Sequence, residues 1–424
     1  MQSLLRDHAQ FGDIVRYQIG DKLVVHLICH PDHIEHVLLK NNKNYRKYTP
    51  HALLTQEIGG GLLLNNSESW LTQRRLIQPS FHPSFFERLS SSTRSASASM
   101  LEAWKTHSDG AHSDGARIDI EEEMSKLARL SVGQTVMGAD VQNEFQHALD
   151  TAGGRLGLLL GNFGIEKKNP RFRNAVRVLD ERVYGIIAAH RQKVEANPDA
   201  APTDILATLM MARDKDSGEG MSDKQLRDEL ITLLLAGYDT TSRTLTWAWY
   251  SLAQNPEVEQ KLHDELREVL NGRAPTNDDL PKLTYTSLVI QETMRLLPPN
   301  PIIARQAIAD DSIGGYKIAA GSVVALSQYL THRHAEYWPD AETFEPERFS
   351  PESAARRHRF AYFPFGGGPR QCVGKGMAMM NVTLALATLA QNYRLRHLPN
   401  HAVKFDIEVT LQPRGGLPMT LHSR

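Results

Sequence analysis

The chain has 424 residues, with 48 Lys and Arg against 49 Asp and Glu, for a formal net charge of -1. That balance leaves no basic footprint for nucleic acid and no polybasic membrane signal. Its two cysteines, Cys29 and Cys372, are too few for a secreted disulfide scaffold, so they are expected unbridged in a reducing cytoplasm.

The amino terminus lacks the charged and apolar regions of a signal peptide. No apolar run approaches the roughly 18 residues of a membrane-spanning helix, so no transmembrane segment is expected. The first elements read as sheet: residues 14–19 and 23–28 flank Gly20-Asp21, a hairpin signal. Residues 31–40 then turn helical. Helical patterns dominate from about residue 67 to 300. A repeated His-Ser-Asp-Gly-Ala, at 107–111 and 112–116, has the composition of a surface loop. Strand signals return near 302–327 and 403–420. The fold class is therefore mainly α with a small β region, read as one domain over residues 1–424.

The clearest punctuation is Ser222-Asp-Lys-Gln225, a capping box, with Met221 and Leu226 placed as a hydrophobic staple. No proline follows until Pro256, which allows a helix of roughly 30 residues and about 45 Å. Within it the sequence becomes Ala236-Gly237-Tyr238-Asp239-Thr240-Thr241. The small residues at i, i+4 spacing predict a notch where another body approaches closely.

Near the carboxy terminus stands Phe365-Gly-Gly-Gly-Pro-Arg370-Gln-Cys372-Val-Gly374, followed by an apolar helical stretch. A cysteine at a helix start feels the positive end of the dipole and nearby N–H donors, which favour thiolate. The glycines would let a flat cofactor press against the backbone, and Phe365 would shield the sulfur. A phosphate loop fails here because Lys375 is not followed by Ser or Thr. A zinc site lacks further ligands in the loop, and a nucleophilic thiol lacks a histidine. A buried cysteine without chemistry remains open for this loop alone. Upstream, Glu292 and Arg295 share a helix face at i, i+3 spacing, and Pro346-Glu-Arg348-Phe349 reads as a polar turn.

Taken together these motifs resemble the cytochrome P-450 superfamily of heme-thiolate monooxygenases. Ala236 to Thr241, Glu292-x-x-Arg295, Pro346 to Phe349 and Phe365 to Gly374 stand in the family's order, with Trp70-x-x-x-Arg74 upstream. The resemblance spans about residues 10–420 and implies that family's fold, with a long central helix over heme. It implies Cys372 as the proximal ligand to the iron of heme b, with Phe365, Gly374 and Gly237 beside the cofactor. It implies Trp70, Arg74, Arg305 and Arg370 at the heme propionates, where many bacterial relatives carry histidine in place of Arg370. Glu292, Arg295 and Arg348 would form a structural charge cluster behind the heme. Thr240 and Asp239 would face the oxygen site and relay protons.

The same resemblance implies activation of O2 with electrons drawn indirectly from NAD(P)H. A separate ferredoxin or flavodoxin and its reductase would deliver them to a monomer. A peroxygenase or isomerase, and a non-catalytic heme sensor, are the alternative classes. The intact Asp239-Thr240 pair favours oxygen activation over both. The usual helix ahead of the family's first strand is expected to be short or absent. Residues 49–66, 156–160, 234–236 and 301–303 are expected around the substrate. Their apolar character suits a lipophilic compound such as a fatty acid or terpenoid, to be hydroxylated or epoxidised.

Overall fold

The computed structural model describes residues 2–21, 23–48, 59–66, 69–109, 115–140, 170–197, 200–399, 401–407 and 409–424. The expected substrate segments at 49–58 and 156–160, and residues 110–114 of the repeat, lie outside the described residues. A ten-residue helix, Gln2–Phe11, precedes the first strand. Of the two alternatives, short or absent, the early helix is present and short. Its Leu4 and Leu5 pack against the cluster of Val15, Leu27 and Cys29 at the sheet, so tertiary burial of its apolar face holds this short helix in place.

The expected hairpin forms as written, with β1 (Ile14–Ile19) antiparallel to β2 (Leu23–Ile28). A π-turn at His36–Lys40 extends the short helix Pro31–Glu35. Strand β3 (Tyr45–Lys47) follows. Strand β4 (Ala116–Asp119) was not signalled locally, because its partner is β12 (Pro418–Ser423) at the far end of the chain. Strands β5 (Ile302–Ala307), β6 (Asp311–Ile313), β7 (Tyr316–Ile318) and β8 (Val323–Ser327) fall where strand signals returned. They are followed by β9 (Tyr393–His397), β10 (Phe405–Ile407) and β11 (Leu411–Pro413). The main sheet has the order β1-β2-β8-β5-β3, and β4-β12-β9 makes a smaller one.

The central helix runs Asp223–Gln254, and Ser222 and Gln225 close the capping box in both directions. Met221 and Leu226 are both buried in one hydrophobic cluster, as the staple requires. The helix packs on Ile120–Met137 and on Pro170–Ala196. Four tryptophans, Trp104, Trp247, Trp249 and Trp338, are at most 1% exposed. Trp104 meets Trp249 and Tyr393 at ring distances of 6.2 and 5.6 Å, so aromatic packing welds the central helix to its neighbours. Among the described residues, no helix is long and apolar enough to cross a membrane.

Candidate active site

One cavity of about 550 Å³ lies between the central helix, the Cys372 loop and the edge of the main sheet. Leu233, Ala236, Thr240, Thr241 and Thr244 line it from the central helix. Ile302, Ile303 and Arg305 line it from β5, and Pro364 to Gly366 with Arg370 to Val373 line it from the loop. Trp70 and Arg74 add one turn of the helix Ser69–Ile77.

The loop is held from below. Gly366 and Gly368 adopt φ of 68° and 65°, the left-handed region that side chains resist. A Cβ on Gly368 would lie 1.8 Å from the Leu38 carbonyl oxygen, and one on Gly367 would lie 2.5 Å from Phe360. The glycines therefore serve close packing against the protein as well as any cofactor. The Cys372 amide donates to the Phe365 carbonyl at 3.0 Å, closing the loop. The helix Lys375–Ala390 begins just beyond, with Gly374 as its cap residue.

Cys372 is exposed only as a wall of the cavity. Burial raises its thiol pKa, against the opposing pull of the Gly374 amide, Arg74 and Lys375. The expected helix-start effect is present, but desolvation outweighs it. A thiolate at this position needs a cation at sulfur, and a metal ion bound there would supply it.

Beside the sulfur stands a group of cations. Arg305 is 8% exposed and donates to the Ala304 carbonyl at 2.9 Å. Arg370 donates to the Asn65 carbonyl at 2.7 Å and lies 3.8 Å over the Trp70 ring. Arg74 donates to the Gln371 carbonyl at 2.8 Å. Burial pulls Arg305 and Arg370 down to about 10. Lys47, which sequence reasoning missed, completes the group. It sits directly opposite Arg305 in the β3–β5 ladder, and its ammonium donates to the Leu63 carbonyl at 2.6 Å. Burial, then Arg305 and Arg370, pull Lys47 down to about 7.

Like charges facing each other across a ladder are destabilising. Among the described residues no carboxylate pairs with any of these four groups. The cradle thus fits an acidic, flat cofactor, and the two propionates of heme match the missing charge in kind. The donor set fits as well, because a single cysteine sulfur on one wall is the ligand type of a thiolate heme.

Behind the loop, Glu292 accepts from Arg295 Nε and Nη2, both at 2.7 Å, from Arg348 Nε at 3.1 Å and from the Glu345 amide at 2.9 Å. Arg295 also donates to the carbonyls of His332, Ala341 and Thr343. Glu292 and Arg295 are fully buried and Arg348 is 9% exposed. Pro346–Phe349 is a 3-10 turn that delivers Arg348, so the polar turn of the sequence becomes part of this core.

Two expected residues are placed differently. Gly237 does not line the cavity. A Cβ there would lie 3.0 Å from Val132, so the notch admits the neighbouring helix, while Ala236 and Thr240 face the cavity. The Asp239 carboxylate is also turned aside. It pairs with Arg243 at 3.2 Å and accepts from Thr410 at 2.7 Å, and Arg243 in turn pairs with Glu121 and donates to Gln412 at 2.7 Å. Thr240 lines the cavity but donates its own proton to the Ala236 carbonyl at 2.8 Å. Of the expected substrate positions, Leu62, Leu63, Leu64, Ala236, Ile302 and Ile303 line the cavity, while Leu234 is buried in the core.

The family model described as "Cytochrome P450" matches residues 1–417. Cyclooctatin synthase of Streptomyces melanosporofaciens is 32% identical over 407 residues, covering 93% of this chain and 85% of that protein. Pentalenene oxygenase of Streptomyces avermitilis is 30% identical over 403 residues, covering 93% and 86%. The solved heme domain of cytochrome P450DA superposes with a TM-score of 0.89 at 22% identity, covering all of this chain and 92% of that one. The chain belongs to the cytochrome P450 family of monooxygenases, which use heme and O2 and draw electrons indirectly from NAD(P)H.

Proposed function

We propose that this monooxygenase hydroxylates or epoxidises a lipophilic, terpenoid-like or fatty-acid-like substrate held in the cavity above Cys372. The observation that carries the reading is the division of one chamber into two chemistries. One wall gathers Arg74, Arg305, Arg370 and Lys47, and much of the rest is apolar, with Leu62, Leu63, Leu233, Ile302, Ile303 and Val409 beside uncharged polar groups such as Thr240 and Thr244. Among the described residues no carboxylate lines it. Once the cationic wall is satisfied by propionates, the remaining surface favours an apolar guest. Relatives named for oxygenating pentalenene and cyclooctat-9-en-7-ol support an alkene-like substrate over a charged one.

Cys372 would hold the heme iron, and Trp70, Arg74, Arg305, Arg370 and Lys47 would hold its propionates. Phe365 would screen the sulfur, with the Gly374 amide turned to it. Bound heme supplies the activation of dioxygen. The protein's own residues then orient the guest and deliver protons. With its one donor spent on Ala236, the Thr240 hydroxyl keeps its acceptor lone pairs for water in the cavity. Asp239, one residue away, pairs with Arg243, which pairs in turn with Glu121, and a proton would pass from that group to the Thr240 position through water. Electrons would arrive from a separate ferredoxin or flavodoxin at the loop face, where Lys375 is exposed. The chain is read as a cytoplasmic monomer.

A screen of terpenes, fatty acids and steroids by Soret shift, followed by product analysis, tests the substrate reading. An apolar ligand should shift the band and yield oxygenated product, whereas binding confined to charged compounds would refute it. Thr240→Ala should consume reductant with little product, and unchanged coupling would remove Thr240 from the proton path.

A further inference from the structure

On the side of the molecule where the N-terminal helix meets the main sheet, metal-ligating side chains from four segments converge on Asp13. His8 comes from the helix Gln2–Phe11, Asp13 from the turn before β1, Cys29 from just beyond β2, and His334 from the loop after the short helix Gln328–Thr331. Cys29 Sγ lies 3.3 Å from His8 Nδ1 and 3.4 Å from Asp13 Oδ1. His8 Nδ1 lies 3.8 Å from the same carboxylate oxygen. His334 Nε2 reaches that oxygen at 3.1 Å. None of these residues lines the cavity.

Without a metal, the Cys29 thiol donates to Asp13 Oδ1 and His8 Nδ1 meets the Gly12 carbonyl at 3.1 Å, contacts that a metal ion would replace. Donor atoms on a tetrahedral zinc ion, with Zn–N and Zn–O near 2.0–2.1 Å and Zn–S near 2.3 Å, stand about 3.3–3.6 Å apart. The three separations among His8, Asp13 and Cys29 straddle that spacing. Cys29 is 1% exposed, while the His8 and Asp13 side chains keep 25% and 33% of their surface. That leaves an approach path and a coordination position for water.

The geometry points to a zinc site formed by His8 Nδ1, the Asp13 carboxylate and the Cys29 thiolate, with His334 holding the carboxylate from outside the coordination shell. Zinc accepts nitrogen, oxygen and sulfur together, and outer partners such as His334 orient the ligands. Binding releases the Cys29 thiol proton to solvent and forms a Zn–S bond, with no change of oxidation state. The ion ties the N-terminal helix to the end of β2. Two other groups, Asp13 with His30 and His334, and Asp32 with Glu35 and His358, contain no sulfur, so a sulfur neighbour on the metal distinguishes the proposed site from both.

The test uses the holoenzyme, so that Cys372 is engaged, stripped with a mild chelator and reloaded with zinc sulfate. After desalting, elemental analysis should find one zinc per chain. Zinc-edge X-ray absorption should find one sulfur neighbour near 2.3 Å with nitrogen or oxygen near 2.0–2.1 Å. Cys29→Ser should remove the sulfur neighbour. His8→Gln, on a surface helix outside the buried core, should weaken zinc binding at least about tenfold, by comparison with outer-shell changes worth about 10–100-fold. Heme content and spectrum should stay unchanged in both variants. No retained zinc, a shell of nitrogen and oxygen only, or binding unaffected by either substitution would overturn the proposal. Should Cys29→Ser fail to fold, the wild-type sulfur shell and His8→Gln decide.

Discussion

Replacing Glu292 with alanine would strand two guanidiniums in the core. Arg295, fully buried, would keep no carboxylate partner among the described residues, and Arg348 would keep only the exposed Glu345 at 2.9 Å as a charged partner beside the Pro339, Asp340 and Thr343 carbonyls. Breaking a buried charge pair by removing one partner costs about 3–5 kcal/mol, because the other charge stays desolvated. At about 1.4 kcal/mol per tenfold, the midpoint of that range is close to a thousandfold in the folding equilibrium. Denaturant unfolding, followed together with heme absorbance, measures it. The exposed Arg177–Glu181 pair is the control. Its side chains are 60% and 61% exposed, and Glu181→Ala should cost about 0.3–0.5 kcal/mol at most. A loss below about 1 kcal/mol for Glu292→Ala, or equal losses for both variants, would refute the argument that burial sets the value of this cluster.

A second expectation concerns pH. Glu229 is fully buried, its Oε2 accepts the Leu62 amide at 2.9 Å and its Oε1 has no partner among the described residues. Burial raises its pKa from 4.5 to about 7, opposed by the Leu62 amide. The folded state thus binds the proton more tightly than the unfolded chain. Its stabilising contribution is complete below about 4.5 and is lost as pH rises to about 7, a change of about 3 kcal/mol. Glu229→Gln should lack this slope, so stability relative to wild type should rise across that window; parallel profiles would refute it. Third, Lys47→Gln should raise the rate at which heme passes to a scavenging apoprotein, since the cationic cradle loses one member. A rate equal to wild type at pH 6 would exclude Lys47 from the cradle.

Much of the fold was legible where the signal is local. The hairpin at Gly20-Asp21 and the capping box at Ser222 need only neighbouring residues, and both form as read. The i, i+3 spacing of Glu292 and Arg295 was equally plain, but their burial depends on Pro346–Phe349 folding back over them. Strand β4 escaped notice because its partner lies near the carboxy terminus. Lys47 escaped notice because it gains meaning only when β3 pairs with β5 and sets it opposite Arg305. Gly237 shows the same limit: a small residue marks close approach, but only the packed structure shows that Val132 is one of the bodies it admits. Asp239 shows the limit of adjacency in sequence. Neighbours on a helix differ by about 100° in direction, so Thr240 reaches the cavity while Asp239 turns to Arg243 and Thr410.

The measurement that bears most directly on the whole account is the absorption spectrum of the reduced protein under carbon monoxide. Ligation of heme iron by the Cys372 sulfur predicts the strongly red-shifted Soret band of a thiolate heme, lost in Cys372→Ser. A band of the imidazole type in the wild type, or a thiolate band that survives Cys372→Ser, would contradict it.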